Sequence, residues 1–345
     1  AASMADPQVV ALRKLLTATP DCASTRPQKL SNALQAFVSV NEDAASSPNY
    51  QSSEPDDLDI FIALVSLQAV KENAELLLRL LKCMKILTRK YDNRVRLGEH
   101  IVEDLVEVLH DRVSIDVAAE ASNVVLNICY ERENVVRLVH ADGVPPLVQF
   151  ASDNENADLQ ANAAGAIQSI CFQKEGRSFV REQGAIQAIL PLLASSNLKV
   201  QTRAVGAVHN MSSEPEAIRV IRRLEGIPLL VQLLRAPSAP ICGSAAGALQ
   251  NLSRESASRG EILSLGAVVP LSDLLFGSDV QSQVCAAGAI LNLLGPAMGA
   301  ENASNEKRQG FKKLLSLALT VGMLNDALRP EQTEMDPSAS KPART

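Results

Sequence analysis

The stretch AAGALQNLS, Ala245–Ser253, returns along the chain at a fixed distance. AVGAVHNMS starts at Ala204, AAGAIQSIC at Ala163 and AAGAILNLL at Ala286. The shared glycines, Gly165, Gly206, Gly247 and Gly288, stand 41 residues apart. Weaker copies are NVVLNIC from Asn123 and CMKILTR from Cys83. Between the copies lies a second recurring block: ADGVPPLVQF, EQGAIQAILPLL, LEGIPLLVQLL and SLGAVVPLSDLL. Its glycines, Gly143, Gly184, Gly226 and Gly266, follow one another at 41, 42 and 40 residues.

A period near 41 is too long for tetratricopeptide or ankyrin arrays, which run at about 34 and 33. It leaves a helical solenoid or a β-propeller. Propeller blades need β-branched and aromatic strands. The repeated blocks here are rich in Ala and Leu, with apolar residues three and four apart, which is a helical pattern. Each repeat therefore reads as three helices: a short one such as Glu216–Leu224, a glycine break, a second such as Ile227–Leu234 with Pro228 in its first turn, and a long third such as Val200–Ser212. Helices of this length are marginal alone, so neighbouring repeats must stabilise one another.

The glycine-turn-PLL block followed by AAGALQNLS resembles the armadillo-repeat family, as in β-catenin-like and vacuolar armadillo proteins, over roughly residues 60–328. The resemblance implies an all-α fold, a right-handed α-solenoid with three helices per repeat of about 41 residues. It also implies a non-catalytic interaction scaffold or adaptor whose third helices line a concave groove for an extended or helical partner segment. Armadillo folds also serve as co-chaperone-like adaptors for heat-shock chaperones or their clients, and as regulators of small GTPases or transport machinery. The fold alone does not choose among these.

In the family a recurrent Asn on the third helix hydrogen-bonds the ligand backbone, and Asn127, Asn210, Asn251 and Asn292 stand at the matching position. The other two repeats carry Ser169 and Ile86 there. A carboxamide offers donor and acceptor to an extended chain, and it equally suits tying neighbouring repeats together. Importin-α proteins place a Trp four residues before this Asn; this chain has no Trp and puts glycines there, which argues against basic-peptide recognition of that kind. Four helix-interior glycines, each about 1 kcal/mol worse than Ala, imply a steric need, and close helix crossing is the favoured one.

Residues four before, one before and three after the Asn position share a helical stripe. Its members give the candidate groove: Lys82, Lys85 and Arg89; Asn123 and Tyr130; Gln168 and Phe172; His209; Gln250 and Arg254. The expectation is a basic N-terminal end that takes an acidic partner segment, an aromatic middle and a polar C-terminal end. Arg219, Arg222 and Arg223 form a second basic cluster on a first helix, where a solvated edge is the simpler reading.

The chain has 345 residues, 33 Lys and Arg against 39 Asp and Glu, and a net charge of −6. The excess sits in one place: residues 41–59 hold six acids and no Lys or Arg, leaving 33 acids against 33 bases elsewhere. That balance argues against a dedicated nucleic-acid binder. This acidic stretch precedes the helix bearing Lys82, Lys85 and Arg89, and is a candidate to compete there with an acidic ligand. No long apolar run suggests membrane insertion. Six cysteines without CxxC or metal spacing, and four scattered histidines, imply no metal, no cofactor and a reducing compartment, the cytoplasm with the nucleus also open. No P-loop, GxSxG or HExxH motif is present, and a monomeric non-enzyme is expected.

The organisation expected is a cloning remnant at 1–4, an N-terminal helical cap at 5–40, an acidic flexible loop at 41–59, armadillo repeats at 60–299, a capping helix at 300–329 and a disordered tail at 330–345.

Overall fold

The computed structural model describes residues 7–43, 57–153 and 156–298. The expected remnant, most of the acidic loop, the capping helix and the tail lie outside these residues. Among the described residues there are helices and no strands. They fall into two compact units, one before Arg177 and one from Arg177 on.

In the first unit the long helices are Pro27–Asn41, Ala74–Leu87, Ile115–Ile128 and Ala157–Phe172, each packed on the next in chain order. In the second they are Leu198–Met211, Ala239–Leu252 and Val280–Met298, again in order. Ile115–Ile128 shows why they stack. Val117, Ala118, Ala121, Val124, Val125 and Ile128 are all buried, on more than one face, because a long helix lies on either side. Burial of each Val or Ile contributes about 1.5–3 kcal/mol, and the alanines let the helices approach. In the N-terminal part Phe37 packs on Phe61 with ring centroids 5.2 Å apart.

Five of the long helices share a start signal. Asn73, Ser114, Asn156 and Asn197 each cap one by accepting the backbone N–H of Leu76, Val117, Leu159 and Val200, at 2.8–3.2 Å. Asp279 does the same for Ser282 at 2.8 Å. Such a cap contributes about 1 kcal/mol and fixes where the helix begins.

The glycine breaks before the second helices are of two kinds. Gly184 and Gly266 adopt φ of 78° and 70°, a conformation that favours glycine. At the other two breaks the preceding residue takes the left-handed conformation, Asp142 at φ 60° and Glu225 at φ 58°. There the glycine is needed for space: a Cβ on Gly226 would stand 2.7 Å from Ile221 Cγ2, and one on Gly143 2.7 Å from Leu138 Cδ1.

Two expectations are corrected. Tyr91–Asp111 is one helix of 21 residues where two were expected. The chain there first turns left-handed at Arg112, φ 47°, and Gly98 is not a break but the seat of the Asn134 carboxamide, which lies 2.1–2.3 Å from where a Cβ would be. The acidic loop is also narrower than 41–59: one helix runs to Asn41, which is buried, and another starts at Asp57. Asp59, one of its acids, pairs with Arg96 at 2.5 Å and not with the basic trio.

Candidate partner-binding face

The aligned Asn position turns out to be a seam between repeats. Asn127 Nδ2 donates to Thr88 Oγ1 at 3.0 Å and to the Lys85 carbonyl at 3.5 Å. Asn251 does the same to Ser212 Oγ at 3.0 Å and the His209 carbonyl at 3.4 Å. Asn292 follows with Ser253 Oγ at 3.1 Å and the Gln250 carbonyl at 3.2 Å. Each hydroxyl in turn donates to that same carbonyl, at 3.0 Å from Thr88 and 2.7 Å from Ser212 and Ser253. A side-chain amide has two N–H groups, so these three Asn residues use both on the preceding helix. The carboxamide oxygen is what remains for a ligand at Asn127 and Asn292, whereas that of Asn251 accepts from Arg254 Nη2 at 3.1 Å. Asn210 is half-buried.

The positions three residues further on diverge. Arg89 Nη1 donates to the Asn41 carbonyl at 3.2 Å, and Arg254 Nη2 to the Ser212 and Ser213 carbonyls at 3.2 and 3.3 Å. Both guanidinium groups thus cap the C-terminus of the preceding long helix, where the dipole favours a cation. Tyr130 and Phe172 occupy the same position in the repeats between them and leave 46% and 65% of their surface exposed.

The basic N-terminal end is smaller than expected. Lys85 pairs with Glu120 at 2.8 Å across to the next long helix, and Arg89 is held as a cap. Neither Lys82, which is half-buried, nor Arg89 has an ion-pair partner among the described residues. Asn123 donates to Asn162 Oδ1 at 3.4 Å, and Gln168 is half-buried.

The glycines four residues before the Asn answer to the residue just before it on the neighbouring helix. A Cβ on Gly247 would stand 2.4 Å from the His209 ring, and one on Gly288 2.2 Å from Gln250 Nε2. So the side chains of His209 and Gln250 lie over glycines of the next repeat. Burial holds the His209 pKa below the ordinary histidine value, keeping the ring neutral.

A further cluster escaped the sequence reading. Arg94 is 5% exposed; its Nε donates to Glu131 at 2.9 Å and its Nη1 to the Arg89 carbonyl at 3.3 Å. Its guanidinium lies 5.9 Å from the Tyr91 ring centre and 5.7 Å from that of Tyr130. Apolar periodicity does not mark a buried Arg. The Arg222 of the second basic cluster is likewise paired, with Glu255 at 2.8 Å, as Arg181 is with Glu214 at 3.3 Å. Both pairs span 33 residues and recur 41 residues on, a signal that was present in the sequence.

Among the described residues no group of three or more His, Cys, Asp or Glu is placed to hold a metal. The six cysteines are buried free thiols, and burial pushes those of Cys83 and Cys129 far above the usual range. No described helix is long and apolar enough to cross a membrane.

The Armadillo/beta-catenin-like repeat model matches residues 132–172, 173–213 and 214–254, three consecutive repeats in the register set by the Asn seam. Residues 132–254 of this chain are armadillo repeats. Each matched armadillo repeat ends on the position three after the Asn seam: Phe172, Ser213 and Arg254. The same helix order continues past Glu255 through Ser256–Ser264, Val268–Leu274 and Val280–Met298. Among solved structures, an engineered protein is similar at 24% identity and a TM-score of 0.70, covering 83% of this chain and 68% of its own. A designed armadillo repeat protein is similar at 22% identity and a TM-score of 0.62, covering 68% of this chain and 98% of its own. Another, solved in complex with the peptide (KR)4, is 22% identical with a TM-score of 0.60, over 68% of this chain and 98% of its own. These likenesses show the armadillo α-solenoid fold. A comparison with curated proteins returns no match.

Proposed function

We propose that the protein is a non-catalytic interaction scaffold that holds a partner's extended or helical segment along the ends of its third helices. The observation that carries this reading is the pair Tyr130 and Phe172. They are aromatic residues at the same position of successive repeats, and both are exposed. Large aromatic rings give contact area at little conformational cost, which is why they anchor protein interfaces. The Asn127 carboxamide oxygen, left over from the inter-repeat bonds, is an acceptor for a segment's backbone N–H. Lys82 supplies the cationic end and favours acidic character in the segment there. A designed armadillo relative binds a peptide, which supports a peptide-binding role for the fold.

Selection of displayed peptides against the full chain tests this. Enriched peptides should lose at least about tenfold in affinity to Tyr130→Ala/Phe172→Ala, as expected for truncation of two interface anchors. Peptides that bind the double variant as well as the parent chain would sink the reading.

A further inference from the structure

The second unit carries a basic surface that the third helices do not account for. The helix Pro215–Arg223 presents Arg219, Arg222 and Arg223, and Arg181 joins them from Lys174–Glu182. With Glu216 and Val220 these four arginines line a cavity of about 460 Å³. A second cavity of about 280 Å³, lined by Pro215, Ile218, Arg219, Arg254 and Glu255, shares Arg219 with the first.

The arginines are not equivalent. Arg181 and Arg222 are fixed by Glu214 and Glu255, which also sets the walls of the first cavity. Arg219 and Arg223 are exposed, and the contact of Arg219 is a loose one to Glu216 at 3.9 Å on its own helix. Arg223 has no ion-pair partner among the described residues. An exposed pair of this kind contributes little, so an incoming anion displaces it easily. Two exposed guanidinium forks over a cavity walled by two fixed ones suit a planar or tetrahedral oxyanion, which Arg binds through paired N–H groups. The neighbouring cavity adds an apolar floor from Pro215 and Ile218.

We propose that these two cavities form a second binding site, which meets the third-helix face only at Arg254. It takes a protein segment with an oxyanion, a phosphoryl group or a carboxylate, beside an apolar side chain. Arg219 and Arg223 grip the oxyanion in the larger cavity, and the apolar residue lies on Pro215 and Ile218 in the smaller. The proposal is independent of Tyr130 and Phe172.

Fluorescence anisotropy on the full chain tests it with three labelled octapeptides that differ at one residue next to a Leu: phosphoserine, Glu or Ser. The first two should bind more tightly than the Ser peptide, more weakly as salt rises. Their ranking tells which oxyanion source fits better. Arg219→Ala/Arg223→Ala should weaken both by about tenfold, since it removes two charge-assisted contacts at exposed positions that bear on no core. Lys199→Ala/Arg235→Ala removes the same charge elsewhere in the unit and should change affinity by less than about twofold. Equal losses in the two double variants, or no preference for the anionic peptides over the Ser peptide, would overturn the site. Tighter binding of a twelve-residue oligothymidine, lost with the same two arginines, would assign the surface to nucleic acid and overturn the protein-segment proposal.

Discussion

Asn251 reaches back 39 residues to Ser212, its Nδ2 3.0 Å from a hydroxyl that is itself bound to the His209 carbonyl 2.7 Å away. The end of one long helix and the last turn of the next are thereby locked through a single hydroxyl, and Thr88 with Asn127 repeats the lock, as Ser253 does with Asn292 further from its helix end. Ser212→Ala and Asn251→Ala should each lower stability by about 1–2 kcal/mol, because each leaves a partly buried partner unsatisfied. The double variant should cost clearly less than the sum, as partners in one network do. Additive losses in thermal or urea unfolding would show that the two side chains act separately.

The contact of Gly247 with His209 makes a second coupled pair. Gly247→Ala gains about 1 kcal/mol of helix propensity but drives a Cβ into the imidazole ring. The single variant should therefore be destabilised by about 1 kcal/mol from overpacking. In a His209→Ala background the same change should instead stabilise, since the ring is gone and the propensity gain remains. Gly288→Ala faces only the flexible end of Gln250 and should be better tolerated than Gly247→Ala. Melting temperatures of the four variants check the ordering.

His209 also sets a pH dependence. Desolvation lowers its pKa in the folded chain, so the folded state binds a proton less readily than the unfolded one. Stability from this residue is full above the unfolded value, about 6.5, and falls as pH drops below it towards the folded pKa. His209→Gln should flatten the melting temperature between about pH 7 and 5 relative to the parent chain. An unchanged slope would place the pH sensitivity elsewhere.

The fold was legible because its signals are periodic. Glycines 41 residues apart and Ala-rich helical blocks mark repeats whatever their partners, and the capping residues Asn73, Ser114, Asn156 and Asn197 were a further mark at nearly the same spacing. The face was legible only as positions. The stripe named His209, Tyr130 and Phe172 as members of one face, but not that the His209 ring lies over Gly247 of the next repeat. It could not tell that Arg89 and Arg254 cap helix ends or that Lys85 meets Glu120, because those contacts depend on how one repeat is set against another. The same ignorance made Arg222 look like a solvated edge residue. A helix pattern reports which side of its own axis a residue occupies; a charge's partner is chosen by the neighbouring helix.

Arg94 and Glu131 are where that distinction has its largest energetic consequence. Their side chains are 6% and 15% exposed and meet at 2.9 Å, with Tyr91 and Tyr130 beside the guanidinium. Removing one member of a desolvated pair strands the other charge, a loss of about 3–5 kcal/mol, whereas replacing both by apolar residues is often near neutral. Glu131→Gln and Arg94→Met should each be strongly destabilising, and Arg94→Met/Glu131→Leu should recover most of the loss. The chain lacks Trp, and its three tyrosines include Tyr91 and Tyr130, so tyrosine emission during urea unfolding reports directly on this site. Single substitutions costing less than about 1 kcal/mol would mean that the pair is solvated enough to behave as a surface ion pair.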